Sequence, residues 1–261
     1  MHKTSCMNSV RAQNADLTQN GVRVNAQDLC PHREPFVFNG QSFTAREVIE
    51  ALWPLMTEHR RQRVLEIIAN RTYTIVPVLE GLYDRGNVSA VLRSAEAMGY
   101  QAVHIMETSK RFKEAKRVTQ GAEKWLDIFR WPTTREGVDR LKAQGYRILA
   151  THFENATSIY DVAFDTPTAL VFGNEKDGVS EELLDAADGR VVIPMLGFAQ
   201  SYNISVAAAL CLYHIAEDRR RRLGAQGDLS ADQQRRLTAL YCLKTVPSAA
   251  QILIGTREQA S

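Results

Sequence analysis

The chain lacks any apolar run near the ~18 residues that a membrane-spanning helix needs. Its start, Met1 to Arg11, is polar and has no apolar core of the kind that marks a secretory signal, although its scarcity of acids also suits a transit segment. The four cysteines, Cys6, Cys30, Cys211 and Cys242, include no Cys-x-x-Cys pair, and the six histidines add no ligand spacing, so no metal site is expected. Cys211 sits in an apolar stretch and reads as a small core residue, and a cytoplasmic, reducing location fits such cysteines. Also absent are the Gly-x-Ser-x-Gly elbow, the Walker phosphate loop, His-Glu-x-x-His, and Gly-x-Gly-x-x-Gly after the first strand of the α/β alternation. Those gaps exclude the usual serine hydrolase, P-loop, zinc peptidase and dinucleotide-binding readings. No internal repeat or low-complexity tract occurs.

What is present is a foldable core: 44% of the 261 residues are hydrophobic, enough for one α/β domain with appendages or two small domains. Net charge is only +2, but the basic residues cluster at His59-Arg60-Arg61-Gln62-Arg63, at Lys110-Arg111-Phe112-Lys113 with Lys116-Arg117, and at Arg219-Arg220-Arg221-Arg222. Solvated helix faces explain single clusters; three in one chain lean toward a polyanion partner.

In order, Phe36–Phe38 is a candidate short strand and Thr44-Ala45-Arg46-Glu47 a capping box, opening a helix that Pro54 stops. A second helix, Glu58 to Ala69, is expected to turn Val64, Leu65, Ile67 and Ile68 inward. Alternation then begins. Strands are expected at 72–79, 102–106, 126–130 and 146–151, with helices at 87–98 and from Thr133 to Gly145. Residues 107–124 read as a basic surface loop. On the 87–98 helix Val88, Val91, Leu92, Ala95 and Met98 form the apolar stripe, which sets Ser89, Arg93 and Glu96 on the opposite face, where Arg93 and Glu96 suit an ion pair.

Two segments carry most of the information. Ala169 to Ser180 reads as a buried strand, a loop bounded by Gly173 and Gly178, and a helix capped by Ser180. Val191 to Ser205 repeats the pattern: strand, loop, then a helix from Asn203 that is apolar nearly all round. Loops of this kind lie at the carboxyl edge of an α/β sheet, where ligands bind, and two of them can line one pocket. Ordinary βα connections fit the same pattern, with Asn87, Ser201 and Asn203 as capping residues. Glu175 is an acid inside the glycine-bounded loop. A helix apolar on every side needs covering on every side, by its own domain or by a second copy; the homodimer is preferred.

Together these segments resemble the three motifs of the SPOUT-class RNA ribose 2′-O-methyltransferases of the TrmH type. Asn87-Val88-Ser89-Ala90-Val91-Leu92-Arg93 matches the first, Val171-Phe172-Gly173-Asn174-Glu175-Lys176-Asp177-Gly178 the second, and Ile193-Pro194-Met195-Leu196-Gly197 through Ser201-Tyr202-Asn203-Ile204-Ser205-Val206 the third. The likeness spans about residues 59–224. It implies an α/β-knot fold, a parallel sheet with a deep C-terminal trefoil knot, and a homodimer with S-adenosylmethionine as cofactor. By matching positions, cofactor binding falls to Thr151, Gly173, Ile193 and Tyr202, with Met195, Gly197 and Gly178 in the same loops. Tyr202 stands where the family commonly has leucine. Arg93 would orient the ribose hydroxyl and adjacent phosphate, Asn87 would hold Arg93, Glu175 would position substrate or arginine, and Ser201 and Asn203 would complete the site.

The expected organisation is an N-terminal extension at 1–58, the catalytic domain at 59–224 and a C-terminal helical extension at 225–261. Basic helical ends carrying Arg60, Arg61, Arg63, Arg219 and Arg220 suit RNA, and they favour tRNA, at a D-loop guanosine, over ribosomal RNA. The lead-in Tyr83-Asp84-Arg85-Gly86 departs from the His-Lys-Pro-like form usual in the tRNA type. Alternatives are a ribosomal RNA methyltransferase, a non-catalytic RNA-binding assembly factor, and a metabolic α/β enzyme without salt-sensitive RNA affinity.

Overall fold

The computed structural model of the chain describes residues 28–82, 84–106, 121–199 and 201–259. Tyr83 and the basic stretch from Lys110 to Arg117 lie outside the described residues, as do Cys6 and the rest of the polar start. The chain divides into two compact units, Met1–Arg61 joined with Arg235–Ser261, and Gln62–Gln234. The two ends read above as separate extensions thus share one unit.

In that unit strands β1 (Phe36–Phe38) and β2 (Gln41–Phe43) pair antiparallel across Asn39-Gly40. Both turn residues have positive φ, 46° and 76°, the turn whose twist suits a two-residue hairpin. Helix α1 (Ala45–Leu52) starts at the expected capping box, with Thr44 and Glu47 each satisfying the other's backbone amide, and passes into a 3-10 turn at Pro54. Near the other end Arg236 is buried, donating to the His32 carbonyl at 2.6 Å and to Asp28 at 3.0 Å. Most of α7 (Ala231–Thr245) and all of α8 (Ala249–Gln259) complete this unit, whereas α2 (Glu58–Ala69) begins in it and has most of its residues in the second. Val64 and Ile68 of α2 are buried as expected, but Leu65 is exposed.

The second unit is built on seven strands: β3 (Ile75–Glu80), β4 (Ala102–Met106), β5 (Asp127–Trp131), β6 (Arg147–Thr151), β7 (Thr157–Ser158), β8 (Thr168–Phe172) and β9 (Gly189–Val192). Every pairing is parallel, and the order across the sheet is β5-β4-β3-β8-β6-β9-β7. Strands β3, β4 and β8 are buried at every residue, as expected of parallel strands covered on both faces. The chain runs outward through β4 and β5, crosses back to β6, and then lays β8 between β3 and β6. That reversal brings the carboxyl ends of β3, β8, β6 and β9 side by side, where an open α/β sheet holds its ligands.

Helices α3 (Arg85–Ala97), α4 (Thr134–Ala143), α5 (Glu181–Ala186) and α6 (Ile204–Leu223) complete the unit. Helix α3 packs against α6 as well as the sheet, so its buried arc is wider than the apolar stripe predicted. Ser89, expected on the outer face, is 0% exposed. On α6, Ile204, Ala208, Cys211, Leu212, Ile215 and Ala216 face the core, while Val206, Leu210 and Tyr213 are exposed on the other side. That second apolar face is left uncovered by the described residues.

At the β4–β5 edge the rings of His104, Phe129 and Trp131 stack nearly parallel, and the Trp131 indole donates to His104 Nδ1 at 3.0 Å. Burial, with Arg140 adding to it, depresses the His104 imidazole from 6.5 to about 3. The folded value lies below the unfolded one, so this group leaves stability unchanged above pH 6.5 and erodes it as pH falls from 6.5 toward 3. The loss grows by at most about 1.4 kcal/mol for each pH unit in that window. Denaturant unfolding at pH 4, 5 and 7 should show a shallower acid slope for His104→Gln, which keeps an acceptor for Trp131 but cannot titrate. An unchanged slope would assign the acid sensitivity to other groups.

Candidate active site

The site begins at the turn after β3. Asp84 caps α3, accepting from the Gly86 amide at 2.5 Å and the Asn87 amide at 3.1 Å. The cap is Asp84, and the Asn87 side chain is free for another task. Its amide nitrogen donates to Glu175 in the loop after β8, and its carbonyl oxygen accepts from Asn203 Nδ2 at 3.4 Å. Three connections far apart in sequence thus meet through side chains at the sheet's carboxyl edge.

Each loop is held by its own backbone chemistry. Asn174 Oδ1 accepts from the Lys176 and Asp177 amides at 2.8 and 2.7 Å, and Asn174 and Gly178 exchange a pair of backbone bonds. A Cβ on Gly173 would lie 2.1 Å from the Gly178 carbonyl carbon and oxygen, so only glycine lets the loop fold back on the strand end. Sequence reasoning overlooked Asn174, although an asparagine two to three residues before amides in a turn is a recognisable signal. Asn203 caps α6, its side chain accepting from the Ser205 amide at 2.9 Å while its amide nitrogen reaches Asn87. Capping and site roles coexist in one residue.

Of the expected cofactor positions, Thr151 ends β6 and spends its hydroxyl on the Val171 carbonyl at 2.9 Å. Ile193 and Met195 are half-buried and Tyr202 is exposed on the loop after β9. Among the described residues no atom lies within 4 Å of a notional Cβ on Gly178 or Gly197, so both border open space there. Ser201 is exposed, two residues from Asn203.

Arg93 is placed differently. Six residues past Asn87 on α3, it lies about 9 Å along the helix and about 120° around it. It is exposed, and among the described residues it makes no hydrogen bond or ion pair. The expected Asn87–Arg93 contact is absent, because Asn87 is engaged by Glu175 and Asn203. The expected Arg93–Glu96 pair is absent too, since Glu96 takes the buried Arg71 at 2.6 Å.

The basic residues also sort unevenly. Half-buried Arg61 pairs with Glu58 at 2.6 Å, and exposed Arg63 and Arg220 pair with Glu66 at 3.4 Å and with Glu217, helical pairs worth little and able to exchange a carboxylate for a phosphate. Arg60 is exposed. Arg219 is a correction: it is 2% exposed, donates to the Phe164 carbonyl at 2.6 Å and pairs with Asp228 at 2.5 Å. A guanidinium so enclosed has no path to RNA. Arg219→Gln is expected to lower stability by about 3 kcal/mol in denaturant unfolding and to leave the salt slope of RNA binding unchanged. A reduced slope at full stability would return Arg219 to the binding surface.

Among the described residues no group of three or more His, Cys, Asp or Glu could hold a metal ion, and no single helix is long and apolar enough to cross a membrane.

Residues 74–213 match the model of the SpoU rRNA Methylase family. The tRNA (guanosine(18)-2′-O)-methyltransferase of Thermus thermophilus is 38% identical over 170 residues, 65% of this chain and 86% of that protein. The crystal structure of the A. aeolicus TrmH/SpoU tRNA modifying enzyme superposes with a TM-score of 0.63 at 30% identity, covering 70% of this chain and 96% of that one. The SpoU methyltransferase AviRb from Streptomyces viridochromogenes, solved with the cofactor AdoMet, gives 0.53 at 27% identity over 62% of this chain and 65% of its own.

Proposed function

Because the chain belongs to the SpoU rRNA methylase family, we propose that it methylates a ribose 2′-hydroxyl of RNA, with a D-loop guanosine of tRNA as substrate. The observation that carries this reading is the Asn87, Glu175 and Asn203 cluster, which joins all three motif loops at one edge of the sheet. Its relation to the Thermus enzyme, of which the chain covers 86%, supports tRNA over ribosomal RNA.

The residues present suit S-adenosylmethionine. The Gly173–Gly178 turn and the open space beside Gly178 and Gly197 give a ligand close access to backbone amides and carbonyls. Gly173, Gly178, Thr151, Ile193, Met195, Gly197 and Tyr202 would hold it. When bound, it supplies an electrophilic methyl group on a sulfonium. The chain's own task is to present the ribose oxygen. A ribose hydroxyl is a poor acid, so developing negative charge on its oxygen calls for a fixed cation or donor. Arg93 cannot act as a base at ordinary pH, and its place is to orient the hydroxyl and stabilise that charge. Asn87 fixes Glu175, Asn203 steadies Asn87, and Ser201 completes the wall.

Arg93 lies off the cluster of its own chain, and α6 leaves Val206, Leu210 and Tyr213 open. Both support a homodimer in which a second copy brings its Arg93 to this cluster. The knot belongs to the same reading, and the seating of the later β8 between β3 and β6 supports it. We read 59–224 as the catalytic part and the basic ends as RNA-docking, in a cytoplasmic enzyme.

Incubation with labelled S-adenosylmethionine and either total tRNA or total ribosomal RNA, followed by mapping of the modified ribose, tests the proposal. Label on a D-loop guanosine is expected. Label only in ribosomal RNA would move the substrate within the family, and no label with either would sink the enzymatic reading.

A further inference from the structure

Glu80, the last residue of β3, is 2% exposed and yet carries a carboxylate. Its Oε1 accepts the hydroxyls of Thr134 and Ser180, both at 2.6 Å, and its Oε2 accepts the Ser180 amide at 2.9 Å. Among the described residues these donors stand in for a counter-ion, since no Lys, Arg or His pairs with it. Such a buried carboxylate is tolerated only while its donors stay in place.

Two of the three donors come from one residue, and that residue closes the candidate cofactor loop. Ser180 follows directly on Val179, which is buried, and on Gly178, the exit of the folded turn. The Ser180 hydroxyl donates to Glu80 and accepts from the Leu183 amide at 3.2 Å, so its proton is committed to the carboxylate and its lone pair to the cap of α5. The other end of the loop is fixed covalently, because Gly173 continues β8. A loop anchored by a strand at one end and by Glu80 at the other has little freedom left, and Glu175 rides on it to Asn87. Thr134 provides an internal comparison. It shares the same carboxylate oxygen but sits on α4, not on the loop.

We infer that Glu80 is a positioning residue for methyl transfer. It pins Ser180, sets the loop from Gly173 to Gly178 against the cofactor, and delivers Glu175 to Asn87. This rests on the methyltransferase reading above. Nothing in it asks Glu80 to touch cofactor or RNA.

The test is steady-state methyl transfer at a temperature well below unfolding, with Glu80→Ala, Ser180→Ala, Thr134→Ala and Glu80→Gln beside the unaltered chain. Glu80→Ala and Ser180→Ala are expected to raise KM for S-adenosylmethionine about tenfold or more, the scale on which small misplacements of a site act. Thr134→Ala should stay within twofold of the unaltered chain, though it loses a bond to the same carboxylate. Glu80→Gln, which keeps an acceptor for the Ser180 amide, should recover most of the loss. Should Glu80→Ala fail to fold, the contrast between Ser180→Ala and Thr134→Ala decides alone. Equal effects of those two variants, or an unchanged KM in both Glu80→Ala and Ser180→Ala, would overturn the inference and leave Glu80 a structural residue. Absence of cofactor binding and methyl transfer in the unaltered chain would instead overturn the functional reading on which it rests.

Discussion

Arg93→Ala should lower the rate of methyl transfer about a thousandfold while leaving S-adenosylmethionine affinity within twofold. The size follows from removing a fixed cation aimed at charge that develops on the attacking oxygen, which costs roughly two to three orders of magnitude in other enzymes. The selectivity follows from where Arg93 sits. It is exposed and has no ion pair among the described residues, so its loss should change stability by no more than about 0.5 kcal/mol. A slow variant with an unshifted unfolding midpoint would therefore report chemistry and not folding. The proposed homodimer adds a second arm. Mixing Arg93→Ala chains with Asn87→Ala chains should restore part of the activity, because each mixed dimer keeps one site with an intact cluster and an arginine from the other copy. Equilibrium cofactor binding and single-turnover transfer together give the answer. Loss of cofactor affinity in Arg93→Ala would remove Arg93 from the hydroxyl, and mixtures no better than either variant would place it in its own chain's site.

The next largest effect is expected from a single methyl group. Gly173→Ala puts a Cβ 2.1 Å from the Gly178 carbonyl carbon and oxygen and 2.2 Å from the Val179 nitrogen. Carbon atoms settle at about 3.5–4.0 Å, so the collision is with backbone and no side chain can swing away to relieve it. Either the end of β8 or the turn must move. We expect cofactor affinity to fall at least a hundredfold, with about 1–3 kcal/mol of stability lost to the strain. Gly255→Ala on α8 is the control, since it lies outside the candidate site and its added Cβ meets nothing within 4 Å among the described residues. Calorimetric titration with cofactor and thermal unfolding of both variants check this. Near-normal affinity in Gly173→Ala would mean that the turn has slack and is not the cradle.

The alternation of strands and helices was legible because buried parallel strands such as Val76 to Leu79 and Ala169 to Phe172 announce themselves as apolar runs bounded by loops. Capping was equally readable at Thr44, Thr133 and Ser180, each a hydroxyl residue set just before a helical stretch. The Asn39-Gly40 hairpin was readable too and went unread. What sequence could not supply was anything set by packing between distant elements. The stripe of one helix sets Ser89 outward, but the packed fold buries it completely. Arg219 looked like one of four equivalent arginines until the 164 and 228 segments enclosed it. The site shows the same division. Motif spacing identified Asn87, Glu175 and Asn203, whereas their mutual hydrogen bonds, and the separation of Arg93 from them, depend on the order in which the strands line up.

That order has a consequence for how the chain is made. β8 fills the slot between β3 and β6, pairing along its length with both, and it is synthesised after either. A nascent chain that has emerged only through β6 must keep two hydrophobic strand edges apart and unsatisfied, waiting for a segment still inside the ribosome. Assembly limited by such a late insertion is slow, and its intermediates expose sticky edges. Cells short of chaperones should therefore lose this protein to aggregation during synthesis long before heat would unfold the finished one.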